Sequence, residues 1–236
     1  MGEAPILVVA ATPGEAGLLT GPLSPEPGDL PWPLWSGRFG ARAVAVVVTG
    51  VGKVNTALCL GAVLPRLRPS AVVSVGVGGA YPGSGLEPGH LAVATGEAYG
   101  DEGAETRAGV RGLRTLGFPS WRQGNEAWYE ELPVDPALAR DLLGAARSVA
   151  PAREGRFITV STVTGTAERA ARLARRFRAV CETMEGAAAA HACLAFGVPF
   201  GEVRGISNRV GPRDRRAWKL REAAEGAQRA VLAFLR

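Results

Sequence analysis

The sequence predicts an α/β fold, a three-layer αβα arrangement with a central, twisted, largely parallel mixed sheet. Two observations carry this expectation. Short β-branched runs alternate with longer Ala-, Leu- and Arg-rich segments along the chain, the pattern of buried parallel strands joined by crossover helices. Of the 236 residues, 47% are apolar and they are spread evenly, enough for one sizeable core and hence a single domain over residues 1–236.

The first strand is expected over residues 6–9, Ile-Leu-Val-Val. No basic segment precedes it and its apolar run is interrupted at Pro13, so it reads as core rather than as a secretory leader. Thr12-Pro13-Gly14-Glu15 follows with the form of a capping box, Thr12 at the N-cap, Pro13 at N1 and Glu15 at N3. Glu15 also stands just past a strand's carboxyl end, where open α/β sheets bind ligands and where a carboxylate is placed to activate water. A Pro-rich connection, residues 21–33, leads to a strand over 43–48 and a helix over Lys53–Leu67.

Between these two, Thr49-Gly50-Val51-Gly52-Lys53-Val54 has part of a P-loop, but it lacks the earlier Gly and has Val54 where Ser or Thr would hold magnesium. The next strand, 71–77, runs into Gly76-Val77-Gly78-Gly79-Ala80, which begins like a dinucleotide fingerprint. Tyr81 stands where its third Gly belongs, and Pro82-Gly83-Ser84-Gly85 cannot open the required helix. The glycines instead let a ligand approach the backbone closely.

A strand over 91–94 precedes a long segment, 99–132, that carries Trp121, Trp128 and Tyr129; connections of this length usually bind a ligand or a partner subunit. Then come a helix over 136–150, a strand over 157–160 and a helix over Ala167–Phe177. The arginines of this last helix fall at mixed spacings without interleaved aromatics, which suits a solvated face. A strand over 178–181 leads through Thr183-Met184-Glu185-Gly186-Ala187 into an Ala-rich helix over 185–196. Glu185 is equally well read as a helix-start acid or as a bidentate acceptor for the two hydroxyls of a ribose. The strand over 198–203 ends in Val203-Arg204-Gly205-Ile206-Ser207-Asn208. Arg204, a guanidinium inside a β-branched run, calls for a carboxylate partner such as Glu15 or Glu185. A final helix is expected over 214–236.

Composition excludes several classes. The net charge is +5, yet the basic residues are scattered, so no nucleic acid is expected. Pro, Gly or charge breaks every apolar run before it reaches the roughly 18–20 residues that span a bilayer. Three cysteines among apolar neighbours suit the reducing cytoplasm. His191 and Cys193, at i and i+2 on a helix, point to different faces, so no metal and no cofactor is expected.

Taken in order, these strand-end motifs resemble the purine-nucleoside phosphorylase/nucleosidase superfamily, specifically its methylthioadenosine/adenosylhomocysteine nucleosidase branch. The resemblance runs from Ile6 to the last helix and is weakest over the segment 99–132. It implies that Glu15 activates water, that Met184-Glu185 binds ribose, and that Arg204 places Glu15. It further implies that Val51, Val77, Gly78, Gly79, Thr162, Thr164, Thr183 and Ser207 surround the substrate. Where similar phosphorylases hold phosphate with two arginines, this chain has Glu15 and Ser74. A carboxylate repels phosphate and suits water, so hydrolysis is favoured.

Asn208 stands where adenine-releasing relatives have an aspartate that protonates N7. An amide cannot act as a strong acid, but it offers donors and an acceptor suited to a 6-oxopurine. With Gly205-Ile206-Ser207-Asn208-x-Val210-Gly211-x-Arg213-Asp214 and Trp218, the chain resembles the futalosine hydrolases. That resemblance implies release of hypoxanthine from futalosine in a menaquinone-making route. Trp218 would form the wall of the 5′ pocket, and Arg213 or an arginine of 99–132 would meet the substrate's carboxylate. The alternatives are a methylthioadenosine/adenosylhomocysteine nucleosidase that releases adenine, and a non-catalytic nucleoside-binding module. A homodimer or larger homo-oligomer is expected by analogy with relatives.

Overall fold

The computed structural model describes residues 3–107 and 109–236. Strand β1 (Ile6–Ala10) leads through a one-turn 3-10 segment (Pro13–Glu15) into the short helix α1 (Gly17–Thr20). The strands β2 (Ser24–Pro25), β3 (Leu34–Phe39) and β4 (Arg42–Val48) follow, then α2 (Lys53–Leu67), β5 (Ala71–Ala80) and β6 (Leu91–Tyr99). The long segment after β6 contains the hairpin β7 (Ala104–Thr106) and β8 (Gly109–Arg111), the helix α3 (Leu113–Leu116), the hairpin β9 (Trp121–Gln123) and β10 (Glu126–Trp128), and β11 (Glu131–Pro133). The chain continues with α4 (Pro136–Arg147), β12 (Ala152–Thr159), α5 (Ala167–Phe177), β13 (Ala179–Thr183), α6 (Gly186–Phe196) and β14 (Phe200–Arg209). It ends in a 3-10 turn (Arg215–Ala217) and α7 (Leu220–Leu235).

Ten strands form one mixed sheet in the order β11-β6-β12-β13-β5-β1-β4-β3-β2, with β14 pairing both β5 and β6. The pairs β1–β4, β1–β5, β6–β12, β12–β13 and β5–β14 are parallel. Because β14 bonds to β5 on one side and β6 on the other, the strands β5, β13, β12, β6 and β14 close into a ring. Closure removes two strand edges and creates an interior that side chains must fill. Helix α7 lies along β14 and β5 with α4 beside it, while α2 and α6 pack on each other. Leu7, Val46, Val72, Leu142, Phe157 and Val203 are fully buried in the core between these elements.

Differences from the expected elements have local causes. Strand β5 runs on to Ala80 and β14 to Arg209, three and six residues past their β-branched runs, because the two extensions pair with each other and β13 bonds the far side of Gly79 and Ala80. The expected helix over 214–236 breaks at Trp218 and Lys219, where the extended backbone of Trp218 and the non-helical Lys219 separate the 3-10 turn from α7. Helix α6 begins at Gly186, leaving Glu185 at its N-cap with no capping bond from its side chain. Among the described residues no helix is long and apolar enough to cross a membrane. Cys59, Cys181 and Cys193 are free and buried.

Candidate active site

A cavity of about 960 Å³ opens at the carboxyl ends of β1, β5, β13 and β14. Its lining includes Glu15, Val51, Val77, Gly78, Gly79, Thr162, Thr164, Thr183, Met184, Glu185, Ser207, Asn208, Arg213 and Trp218. Of the residues singled out in the sequence, Arg204 is absent from this lining. It lies beneath the floor, 1% exposed, and reaches the cavity only through the carboxylates it holds. Arg204 thus acts through Glu15, Glu185 and Glu202, as a positioning residue beneath the site.

Glu15 sits in the 3-10 turn after β1 and is buried. The expected capping box is absent: Thr12 makes no side-chain cap, and its hydroxyl donates instead to Glu15 Oε2 at 2.8 Å. Glu15 Oε1 accepts the Val77 N–H from β5 at 2.9 Å. These two bonds hold the Glu15 carboxylate over the end of β5 instead of turning it back to the N-cap backbone. Gly76 is required beside it, since a Cβ there would lie 2.5 Å from Glu15 Oε1 and collide with Arg204 Nη1.

Glu185 Oε1 accepts the Gly52 N–H at 2.8 Å, and its Oε2 lies 3.7 Å from Arg204 Nη1. Burial raises the Glu185 pKa, and the Arg204 charge opposes that rise. Gly52 presents its N–H from a backbone with φ of 95°, a conformation natural to glycine. The would-be P-loop lysine turns away: Lys53 Nζ is 2.8 Å from Asp101 Oδ1.

Arg204 Nε donates to Glu202 Oε1 at 2.6 Å and Nη2 donates to Ser74 Oγ at 3.0 Å. Burial works against its charge, but Glu202, Glu185 and Glu15 together hold it firmly protonated. Glu202 adjoins a second buried carboxyl, Glu97, within the ring of strands; both are 0% exposed. Burial and then the charge of Glu202 push the Glu97 pKa well up, so Glu97 keeps its proton. Two oxygens lack a conventional donor, Glu97 Oε1 and Glu202 Oε2, and a proton on this pair supplies one. Glu97 is thus part of the support under the site.

Ser207 donates from Oγ to Asn208 Oδ1 at 2.8 Å, and Asn208 Nδ2 donates to the Arg209 carbonyl at 2.9 Å, which fixes the amide at the cavity wall. At the outer end the Arg213 guanidinium lies 4.7 Å from the Trp218 ring centroid. The arginines of residues 99–132, considered in the sequence as partners for an anionic group, do not line the cavity, whereas Arg209 and Arg221 do. Arg209 is paired with Glu87 and Arg221 with Glu225. The aromatic segment packs elsewhere: Trp121 and Tyr99 lie edge-on to His191, and Tyr99 Oη is 3.1 Å from His191 Nδ1.

The sequence reading missed Glu182 in the cavity and Glu202 beneath it. Each is an isolated acid within a buried strand, and that burial was the available signal.

The geometry can bring a carboxylate-held water to one face of a nucleoside, a second carboxylate to its sugar hydroxyls and an amide to its base. Comparisons with known proteins agree with that reading. A model of the phosphorylase superfamily matches residues 5–236. The chain is 38% identical to a futalosine hydrolase of Thermus thermophilus, covering 85% of this chain and 84% of that protein. It is 35% identical to a futalosine hydrolase of Acidothermus cellulolyticus, covering 97% and 89%. A solved S-adenosylhomocysteine nucleosidase from Streptococcus pyogenes, in complex with 5-methylthiotubericidin, superposes with a TM-score of 0.84 at 23% identity, covering 100% of this chain and 97% of that one. With the family model matching nearly the whole chain and these relatives covered over most of their length, the chain belongs to the phosphorylase superfamily.

Proposed function

We propose that this chain hydrolyses the N-glycosidic bond of futalosine, releasing hypoxanthine and dehypoxanthine futalosine, a step in menaquinone biosynthesis. The observation that carries the reaction class is the placement of Glu15. Its carboxylate, held by Thr12 and the Val77 N–H above a buried guanidinium, suits a base acting on neutral water and repels phosphate.

The C1′–N9 bond lengthens and its electron pair moves onto the purine, leaving oxocarbenium character on the ribosyl group. Glu185 accepts hydrogen bonds from the 2′ and 3′ hydroxyls. Glu15 takes a proton from water as its oxygen bonds to C1′. Asn208 donates to N7 or O6 of the departing base, which then takes a proton from solvent. Thr162, Thr164, Thr183, Met184, Ser207 and the glycine segment complete the enclosure of sugar and base. Arg213 on the Trp218 face receives the anionic 5′ substituent.

Asn208 in place of an acid favours the 6-oxopurine over adenine. The cytoplasm is the proposed compartment, supported by three free cysteines. A homo-oligomer is the proposed state, supported by the apolar row Val51, Val54 and Leu58 that remains exposed on and before α2. The test is incubation with futalosine, inosine and methylthioadenosine, with and without phosphate, followed by chromatography of the bases. Phosphate-independent hypoxanthine release from futalosine is expected. Adenine from methylthioadenosine with no hypoxanthine from futalosine would overturn the substrate assignment.

A further inference from the structure

Glu182 is a carboxylate in the cavity to which the mechanism above gives no task. It lies on β13, is 7% exposed and contributes to the lining. Strand β5 runs between β13 and β14, and at Gly79 the two registers meet: Glu182 pairs with Gly79 on one side and Asn208 pairs with it on the other. Neighbouring strands are about 4.8 Å apart, so about 10 Å separates the backbones of Glu182 and Asn208. Gly79 places no side chain between them. The two polar groups therefore border one stretch of cavity floor, about as wide as a purine with a hydrogen bond at each edge.

The bonds already made by Glu182 define what it has left to offer. Oε1 accepts the Thr164 N–H at 2.9 Å, and Oε2 accepts the Tyr81 hydroxyl at 2.7 Å and the Thr164 hydroxyl. Burial and then the Glu182 charge raise the Tyr81 pKa, so the phenol remains a donor. A carboxylate has about four lone-pair sites. Three are taken by donors, which fixes the group in place. One site on Oε1 is open, and it only accepts.

A 6-oxopurine carries a hydrogen on N1, whereas a 6-aminopurine presents a lone pair there. An acceptor-only group at that edge attracts the first and repels the second. We infer that Glu182 is a specificity-determining residue that accepts N1–H of a 6-oxopurine while Asn208 meets its O6 and N7 edge. This rests on the proposed placement of the base beside Asn208.

The test uses the free bases, so it does not depend on substrate cleavage. Inhibition constants or calorimetric affinities of hypoxanthine and adenine are measured on the wild-type chain and on Glu182→Gln. A hydrogen bond to a charged group sets the expected scale, so wild type binds hypoxanthine at least ~10-fold more tightly than adenine. Glu182→Gln, whose amide can turn either an acceptor or a donor to N1, loses ~10- to 100-fold in hypoxanthine affinity and narrows the ratio. An unchanged ratio in a folded Glu182→Gln chain, checked by circular dichroism and melting, overturns the inference. Should that variant not fold, wild type is probed with 1-methylhypoxanthine, which keeps O6 and N7 but has no N1–H. At least ~10-fold weaker binding than hypoxanthine supports the inference, and equal binding refutes it. Loss of the futalosine reaction with a retained base preference would strike the substrate proposal and spare this one.

Discussion

Glu15→Gln separates the chemistry of the site from its architecture. The amide is nearly isosteric with the carboxylate. Its oxygen can still accept the Val77 N–H, a bond of 2.9 Å, and its NH2 can donate to Thr12 Oγ1, now 2.8 Å from Glu15 Oε2 with the hydroxyl donating. Arg204 keeps Glu202 at 2.6 Å and Glu185 at 3.7 Å as counter-charges, so no buried cation is orphaned. Stability should change by no more than about 1 kcal/mol, the net worth of a hydrogen bond. The base is lost entirely, and positioned proton transfer is worth roughly 10²- to 10⁴-fold, or about 2.7–5.4 kcal/mol of barrier. Ribose binding through Glu185 is untouched, so KM should stay within about threefold while kcat falls by that factor. Initial rates of hypoxanthine release over a range of futalosine concentrations, with a urea melt of each protein, read both quantities. A kcat within tenfold of wild type would refute Glu15 as the base, and a fall in KM-dependent binding alone would reassign it to substrate recognition.

Asn208→Asp places an acid at the base. Adenine release from methylthioadenosine should rise by roughly tenfold or more while hypoxanthine release falls, both read by chromatography. Gly76→Ala drives a methyl between Glu15 Oε1 and Arg204 Nη1; it should cost about 1–3 kcal/mol of stability in a urea melt and at least tenfold in kcat. The raised pKa of Glu97 means that the native chain keeps a proton that the unfolded chain releases near the ordinary glutamate value of 4.5. Its contribution to stability is full below that pH and is lost as pH rises toward the native pKa, at up to about 1.4 kcal/mol per pH unit. Glu185, also raised, acts in the same sense. Glu97→Gln, permanently neutral, should flatten the slope; an unaltered pH dependence of denaturant midpoint would show that Glu97 is ionised in the folded chain.

Local signals carried much of the fold. The apolar and β-branched periodicity placed α2 and α5 at their observed bounds, Lys53–Leu67 and Ala167–Phe177, because both helices have a continuous helix-period face and a definite stop. The ring of strands was not legible, since β14 earns its second partner, β6, through long-range pairing that no short window records. The residues around the cavity were found by motif, for strand ends gather at one place in an α/β sheet. Of the layer below them only Arg204 was legible, as a guanidinium in a β-branched run that needs a carboxylate. Glu202 and Glu97 look like isolated acids in β-branched runs until β6 and β14 bring them together, and their pairing is a property of the closed sheet. Thr12-Pro13-Gly14-Glu15 misled in the other direction. It has the composition of a cap, but the turn it forms is one 3-10 turn long, and the side chains that would satisfy its backbone satisfy each other.

Gln228, 1% exposed on α7, donates from Nε2 to the Gly14 carbonyl at 3.2 Å and accepts the Leu18 N–H at 2.8 Å. The turn that presents Glu15 is thereby fastened by a residue 214 positions further along the chain. On the ribosome, at about 5–20 residues per second, the Gly14 turn emerges roughly 10–40 s before its fastener is made. The nascent chain can assemble β1, β4 and β5 in that interval, yet its reactive turn stays untied until α7 docks. Competence thus arrives as one of the last events of synthesis, and a chain stalled before α7 carries every sugar- and base-facing motif without a fixed base.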